Sequence, residues 1–427
     1  MIEKNYKAMK KIILVFSLIT SLLQAQYTWS IFSYPPSNGT GRYDDVFFLN
    51  ENVGWAAKGG NGAVFKTTNG GANWTQQTVS SATNQYYRNI EFLNENVGFL
   101  GTLNNNFYKT VDGGNSWQRV DNISPYPQAI CGLDCVGTST VYGCGAWFYP
   151  AYIIKSTDSG NTWQYIDMSG YANALVEITF INENVGFAAG NDDNGAVILK
   201  TTDGGVNWTK IYNSNIENEY VWKMQLLDNN KIFCSIESEV PNTGKLLKSL
   251  NGGFTWETKD FPDHYVQAVG FTSTTHGWMG GHNTGFYETF DGGDTWTNTG
   301  VGGSLNRIFI LNNNLAYAAG TNVYKMTTGS LATHEISTEQ QERKLKIEVV
   351  PNPVKDKLNL NVYFTHSDHI IIGLYDASGK FIKNILKDDV SDKGMKKYSL
   401  EFNYPKGNYL LDAHSNLGRQ SIKIIKN

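Results

Sequence analysis

Thr67-Thr-Asn-Gly-Gly-Ala-Asn-Trp74 decides how this 427-residue chain folds, because the same octapeptide returns five more times. The other copies are Thr110-Val-Asp-Gly-Gly-Asn-Ser-Trp117, Ser156-Thr-Asp-Ser-Gly-Asn-Thr-Trp163, Thr201-Thr-Asp-Gly-Gly-Val-Asn-Trp208, Ser249-Leu-Asn-Gly-Gly-Phe-Thr-Trp256 and Thr289-Phe-Asp-Gly-Gly-Asp-Thr-Trp296. Successive tryptophans are 43, 46, 45, 48 and 40 residues apart. A fixed period of that size marks a propeller or solenoid, in which each unit buries its apolar face against the next. The Gly pair permits positive φ, and the Asp or Asn side chain can accept hydrogen bonds from turn amides. The octapeptide therefore reads as a staple between two strands. Its Trp reads as filler between neighbouring units, with truncation costing roughly 3–5 kcal/mol.

Strands surround each staple. Val46 to Leu49 and Val53 to Ala57 flank the turn Asn50-Glu-Asn52, Ala63 to Thr67 follows, and Trp74 opens a fourth strand. The phrase recurs as Phe92-Leu-Asn-Glu-Asn-Val-Gly-Phe99 and Phe180-Ile-Asn-Glu-Asn-Val-Gly-Phe187. Four antiparallel strands per period make a propeller blade. The last period, from Arg307 to Thr327, supplies three strands and no Trp. Tyr27-Thr-Trp29-Ser-Ile-Phe32 supplies the fourth, with Trp29 in phase 45 residues before Trp74. The expected fold is all-β: a seven-bladed propeller closed by its N-terminal strand, then a small Ig-like β-sandwich. Closure removes the open sheet edge that invites association, so a monomer is expected.

Lys10 and Lys11 precede the apolar run Ile12 to Leu23, and Ala25 offers a cleavage site. Residues 1–25 thus read as an export signal, with Met9 as an alternative start. The run is too short to span a bilayer, so no transmembrane helix is expected in the mature protein. The propeller is expected over 26–330, a polar linker over 331–344 and a second strand-rich domain over 345–427. A net charge of −4 and pI of about 6.0 give no basic footprint for nucleic acid. Cys131, Cys135, Cys144 and Cys234 admit a bridge from Cys144 to Cys131 or Cys135, or a role as small buried hydrophobes. Their spacing matches no metal site. Asn191-Asp-Asp-Asn-Gly195 lacks the ligand spacing of a calcium loop and reads as a turn. No cofactor is expected.

The octapeptide resembles the Asp-box, also called the bacterial neuraminidase repeat. That resemblance assigns structural roles to Asn69, Asp112, Asp158, Asp203, Asn251 and Asp291, and to Trp74, Trp117, Trp163, Trp208, Trp256 and Trp296. The Asn-Glu-Asn-Val-Gly-Phe phrase followed by Lys-Thr-Thr-Asp-Gly-Gly resembles seven-bladed propellers that include photosystem II assembly factors and their bacterial relatives. This resemblance covers 27–329 and implies a binding scaffold. The C-terminal domain resembles the type A sorting domain of the Bacteroidetes type IX secretion system. Pro351-Asn352-Pro353, Leu358, Leu360, Leu374-Tyr-Asp376-Ala-Ser-Gly379-Lys380, Lys406-Gly407-Asn-Tyr409 and Ile422 to Lys426 carry it. It implies an address tag, the secretion machinery as partner, and a secreted or outer-surface location reached through the periplasm.

Aligning the repeats places Asp44, Asp45, Arg88, Glu177, Trp222, Lys223 and Arg307 near the channel mouth, on the face away from the staples. His264 and Tyr265 lie just upstream of that position, and Trp147 sits in a loop on the same face. Aromatic rings among a few charges suit a glycan or a protein ligand, and no residue is assigned as catalytic. The other reading is a secreted glycoside hydrolase of the Asp-box kind, related to sialidases or xyloglucanases. A sialidase needs three converging arginines; only Arg42, Arg88, Arg119 and Arg307 precede the linker, and the Arg-Ile-Pro signature is absent. A carboxylate pair such as Asp44 or Asp45 with Glu177 would serve a glycosidase if it met across the mouth.

Overall fold

A computed structural model describes residues 26–32, 41–60, 62–79, 85–145, 150–329, 346–364, 367–376, 381–415 and 418–427. The expected export signal, the linker, Trp147 and Gly379 lie outside them. Every regular element among the described residues is a β-strand. The chain divides into one compact unit at Gln26–Thr328 and another that contains Gly329–Asn427.

The first unit holds seven four-stranded antiparallel sheets. In six of them the strands run outward in chain order, starting from Tyr43–Phe48, Tyr87–Phe92, Gly132–Val136, Ala174–Phe180, Tyr220–Leu226 and Val266–Phe271. The seventh combines Arg307–Asn312, Leu315–Ala319 and Val323–Gly329 with Gln26–Ile31, which is hydrogen-bonded to Val323–Gly329. Trp29 is buried there, stacked on Phe286 at 4.1 Å. The innermost strands touch one another in cyclic order, the first against the seventh, so the ring is closed by both ends of the propeller segment.

The repeated phrase has a physical reading at each step. Asn50 Oδ1 accepts the amides of Asn52 and Val53 at 2.9 Å each, and Asn94 and Asn182 do the same in their blades. The glycine is the space in which a neighbouring ring lies. A Cβ on Gly54, Gly98, Gly186 or Gly277 would sit 2.4 to 2.5 Å from the ring of Phe48, Phe92, Phe180 or Phe271. Each of those rings stacks on an aromatic of the preceding blade: Phe48 on Tyr317 at 3.4 Å, Phe92 on Trp55 at 3.6 Å, Phe180 on Tyr142 at 3.8 Å and Phe271 on Phe233 at 4.2 Å. Such pairs add about 0.5–1.5 kcal/mol beyond area burial.

Side-chain hydrogen bonds close the octapeptide turns. Thr201 Oγ1 donates to Asp203 at 2.9 Å and accepts the Gly205 amide, while Asp203 Oδ1 accepts the Asn207 amide at 2.9 Å. Both glycines adopt positive φ, and in the third blade Ser159 does so at 59°. The hydrogen bonds hold the Asp158, Asp203 and Asp291 carboxyls down at about 2. A lysine of one blade then reaches the staple of the next: Lys66, Lys155, Lys200, Lys248 and Lys325 each donate to a glycine carbonyl at 2.7 to 3.0 Å. In the sixth blade this position is Glu288, and the seventh blade has no staple to receive a lysine. Glu288 pairs with His276 instead, at 2.9 Å.

The four cysteines are free thiols. Cys135 faces Val141 across the hairpin, and the Cys131 amide donates to Cys144 O at 2.8 Å while both side chains remain thiols. Asp192 and Gly195 close a two-residue hairpin turn, and the Asp192 carboxylate accepts from Lys210 and Asn213.

The second unit has a three-stranded sheet of Lys346–Val349, Lys357–Phe364 and Gly394–Glu401, and a four-stranded sheet of Phe381–Val390, Asp368–Asp376, Gly407–Ser415 and Gly418–Lys426. Leu358, Leu360, Val362, Ile370, Ile372, Leu374, Leu411 and Ile424 share one core between them. Asn352 locks the chain end: its side chain donates to Lys423 O at 2.9 Å and accepts the Ile425 amide at 3.0 Å. Tyr409 donates to Pro405 O at 2.9 Å from inside the sandwich.

Candidate functional site

A repeated irregularity builds the channel mouth. In five innermost strands the pairing with the second strand skips one residue: Asp44, Arg88, Val176, Trp222 and Gln267. A bulge re-aims side chains and breaks strict alternation. Cys131 and Asn306, whose amides bond the second strands of their blades, stand at the matching places.

Asp44 is fully buried at the centre of the upper layer. It accepts from Arg42 Nε at 2.6 Å, Arg88 Nη1 at 3.4 Å and Asn306 Nδ2 at 3.1 Å. Arg42 also donates to the His282 ring at 2.8 Å and to Gln267 at 3.2 Å, and Gln267 donates to Glu237 at 3.3 Å. Arg88 lies 5.5 Å over the Trp222 ring, which stacks on Tyr220 at 5.6 Å. Burial pushes His282 down to about 4, and repulsion by Arg42 and Arg88 adds to it. Burial raises Glu237, against the hydrogen bonds from Gln267 and Trp222.

The next residue of each strand forms a second charged layer. Glu177 pairs with Lys223 at 2.7 Å and Arg307 Nη1 at 2.9 Å, and Arg307 Nε lies 3.6 Å from Asp45. Asp45 also accepts the amides of Val46 and Ile90 at 3.0 Å, and Asn89 donates to Ile130 O at 3.1 Å, so side chains cap the sheet edges that face the channel. Burial raises the Asp45 carboxyl, while Arg307 and Lys223 pull it back.

The structure thus gathers Asp44, Asp45, Arg88, Glu177, Trp222, Lys223 and Arg307. It does not bring His264 or Tyr265 into this network: the His264 ring bonds the Asn242 carbonyl, and Tyr265 is 42% exposed on the rim. Arg42, Gln267 and Asn306 join the Asp44 network, and the sequence reading does not assign them to it. Gln267 and Asn306 occupy the repeat position of Asp44, which a bulge-aware alignment of the seven units would expose. Asp45 and Glu177 meet on one guanidinium rather than facing each other across free space. Three of the four arginines before the linker gather, each against a carboxylate, while Arg119 pairs with Asp121 and sits on the Tyr126 ring at 4.3 Å on an outer strand.

Fold and ring define the first unit as a β-propeller. Comparison with known proteins adds the second element: residues 348–427 match the secretion system C-terminal sorting domain, so the chain carries a type IX address for secretion or the cell surface. No curated protein matches the chain. YCF48 bound to D1 peptide superposes with a TM-score of 0.55 at 17% identity, over 71% of this chain and 97% of that one. PorZ, an essential surface component of the type IX system of Porphyromonas gingivalis, superposes with 0.54 at 12% identity, over 91% of this chain and 60% of PorZ. An ancestral GH74 enzyme gives 0.52 at 13% identity, over 92% and 63%. At these identities the likeness is one of fold.

Proposed function

We propose that the chain is an exported, non-enzymatic propeller scaffold that binds a glycan or a protein on the loop face of its ring. The observation that carries this reading is the charge matching at the mouth. Asp44 is held by Arg42 and Arg88, and Asp45 and Glu177 by Arg307 and Lys223. Carboxylates so held are poor acids and nucleophiles, whereas Trp222, Tyr220 and Tyr265 offer rings beside fixed charges, a pattern suited to recognition. Tyr265, Tyr220, Trp222 and Arg88 are the proposed contact residues, with the fully buried Asp44 holding Arg88, and Asp45, Glu177, Lys223 and Arg307 holding the ring beneath them. A propeller of similar fold binds a D1 peptide, which supports an extended protein segment as one kind of ligand.

A hydrolase reading draws on Glu91 and Asp134, two carboxyls raised by burial, with Asp134 adding to the rise at Glu91 and Glu177 to that at Asp134. Groups with separated proton affinities are the raw material of acid–base catalysis. Both readings are tested by applying the full chain to glycan and peptide arrays and measuring reducing-sugar release on every glycan that binds. Binding that is lost in Trp222→Ala and Arg88→Ala, without release, is the expected outcome. Release that disappears in Glu91→Gln would replace the scaffold reading with the hydrolase.

A further inference from the structure

Strand alternation in the third blade breaks at Cys131. Leu133 and Cys135 pack into the core shared with the second blade, so strict alternation would send Cys131 the same way. Instead Cys131 packs with Val176 and Trp222 of the fourth and fifth blades. Its amide donates to Cys144 O at 2.8 Å, while the next residue, Gly132, is the register partner of Cys144. Two residues thus stand opposite one, which is the pattern of a bulge. Cys144 packs with Leu175 and Ile178 of the fourth blade. A Cβ on Gly132 would lie 2.9 Å from Cys144 Sγ and 3.0 Å from Glu177 Cα. Both cysteine side chains therefore leave the hairpin on the side of the fourth blade.

The backbone holds the pair within bridging range. A hydrogen bond of 2.8 Å from the amide of one to the carbonyl of the other limits their Cα separation to about 6.7 Å, by the bond lengths on either side. Disulfides span about 4.4–6.8 Å between Cα atoms. Both side chains are buried. Burial raises the Cys144 thiol, and Cys131 adds to the rise. Burial likewise raises the Tyr152 hydroxyl, with both thiols adding to it. Cys135 turns to the second blade, and Cys234 lies in the core between the fourth and fifth.

The sorting domain sends this chain out of the cytoplasm, into compartments where disulfides form and persist. We propose that Cys131 and Cys144 are joined by a disulfide in the exported protein, closing the first hairpin of the third blade against Trp222. The structure holds both as thiols, the reduced form of the pair. One thiolate attacks the disulfide of a thiol–disulfide oxidoreductase in the export compartment and gives a mixed disulfide. The second thiolate attacks the exported chain's sulfur in that intermediate, forms the Cys131–Cys144 bond and releases the carrier's thiolate. Two electrons and two protons pass to the carrier, whose disulfide becomes two thiols. A cysteine buried in apolar surroundings is inert, so the exchange takes place while the hairpin is still uncovered, before the fourth blade packs on it. The bond is independent of what binds at the mouth.

The test is cysteine mapping on the exported protein, quenched in acid at harvest and alkylated under denaturing conditions before any reductant is added. No lysine or arginine lies within 120–154, so the chain is cut at Asp134 and after Tyr142 to part the three cysteines of this blade. Alkylation of Cys135 and Cys234 alone is expected before reduction and of all four cysteines after it, with the pieces that carry Cys131 and Cys144 joined until then. Cys135→Ser should keep the joined pieces, and Cys131→Ser should lose them and open Cys144 to alkylation. Reductant should lower Tm by about 4–10 °C in wild type, as expected for opening so short a loop, and leave Cys131→Ser unmoved. If a variant is not exported, the wild-type map decides alone. Four alkylated cysteines in the unreduced protein, or a bridge that contains Cys135 or Cys234, overturn the proposal. So does a bridge that appears only when the acid quench is omitted, since it then forms after harvest.

Discussion

Arg307→Met removes the one guanidinium that holds acids from two other blades, and the consequence can be worked through. Arg307 bonds Glu177 at 2.9 Å and approaches Asp45 at 3.6 Å, with 18% of its side chain exposed. Taking one partner from a buried ion pair costs about 3–5 kcal/mol. Lys223 stays on Glu177 at 2.7 Å, which favours the lower figure, so about 3 kcal/mol is expected at pH 8. At roughly 2–4 °C per kcal/mol for large domains, Tm should fall by about 6–12 °C. The pH dependence is the sharper check. Burial raises the Asp45, Glu91 and Asp134 carboxyls, and Arg307 pulls each one down. Without Arg307 they rise further, so the folded variant takes up protons that its unfolded chain does not. Stability tied to such raised carboxyls is present below the unfolded value and lost as pH climbs through the folded one. The deficit should therefore shrink to less than about half between pH 8 and pH 5. All 11 tryptophans precede residue 297, so tryptophan fluorescence follows the propeller alone in the intact chain. A deficit equal at both pH values, or below about 1 kcal/mol at pH 8, refutes the ion-ring account.

Four further outcomes are expected. Asp134 is pushed up to about 7, first by burial with Glu177 adding to it, so wild type loses stability between about pH 4 and 7; Asp134→Asn keeps an acceptor for the Phe180 amide and should gain about 2 kcal/mol on wild type above pH 7, after discounting for partial exposure, and nothing below pH 4. Gly98→Ala drives a Cβ to 2.4 Å from the Phe92 ring and should destabilise by about 1–3 kcal/mol in denaturant melts. Asp203 is held near 2 by hydrogen bonds from the Asn207 amide and side chain, so its contribution fades as pH falls from about 4 to 2. Asp203→Asn, the choice already made at Asn69 and Asn251, should keep the turn and flatten that acid limb, whereas Asp203→Ala should speed proteolysis within 201–208 at every pH. Deleting 348–427 removes the sorting domain and should leave the propeller in the periplasm; secretion at normal levels would refute the role given to it.

How far the sequence could be read depended on whether an interaction is local. The Asp203 turn spans four residues, the Asn50 turn spans three, and both are visible as spelling. The bulges at Asp44, Arg88, Trp222 and Gln267 are not, because nothing in those residue types marks a skipped pairing. That skip is why Asp44 and Asp45 serve two different layers, and why Gln267 is not legible in the strand pattern. Glu91 reads as part of an ordinary strand, Tyr-Arg-Asn-Ile-Glu-Phe, and only the fold brings Asp134, Arg307, Asp45 and Glu177 of other blades to bear on its carboxyl. His264 was placed by proximity along the chain, and a carbonyl of another loop claimed its ring.

The octapeptide by itself determined the blade, because its hydrogen bonds close within one turn and need no other part of the chain. Its phase, counted back to Trp29, also determined how the ring closes, since a fixed period leaves one strand short at one end and one spare at the other. The tertiary structure alone decided the chemistry of the axis. Asp44 meets Asn306 across 262 residues and Glu177 meets Arg307 across 130. Contacts of that span exist only once seven blades have been brought around one centre, where unpaired charge is costly and each side chain answers to whichever strand stands opposite.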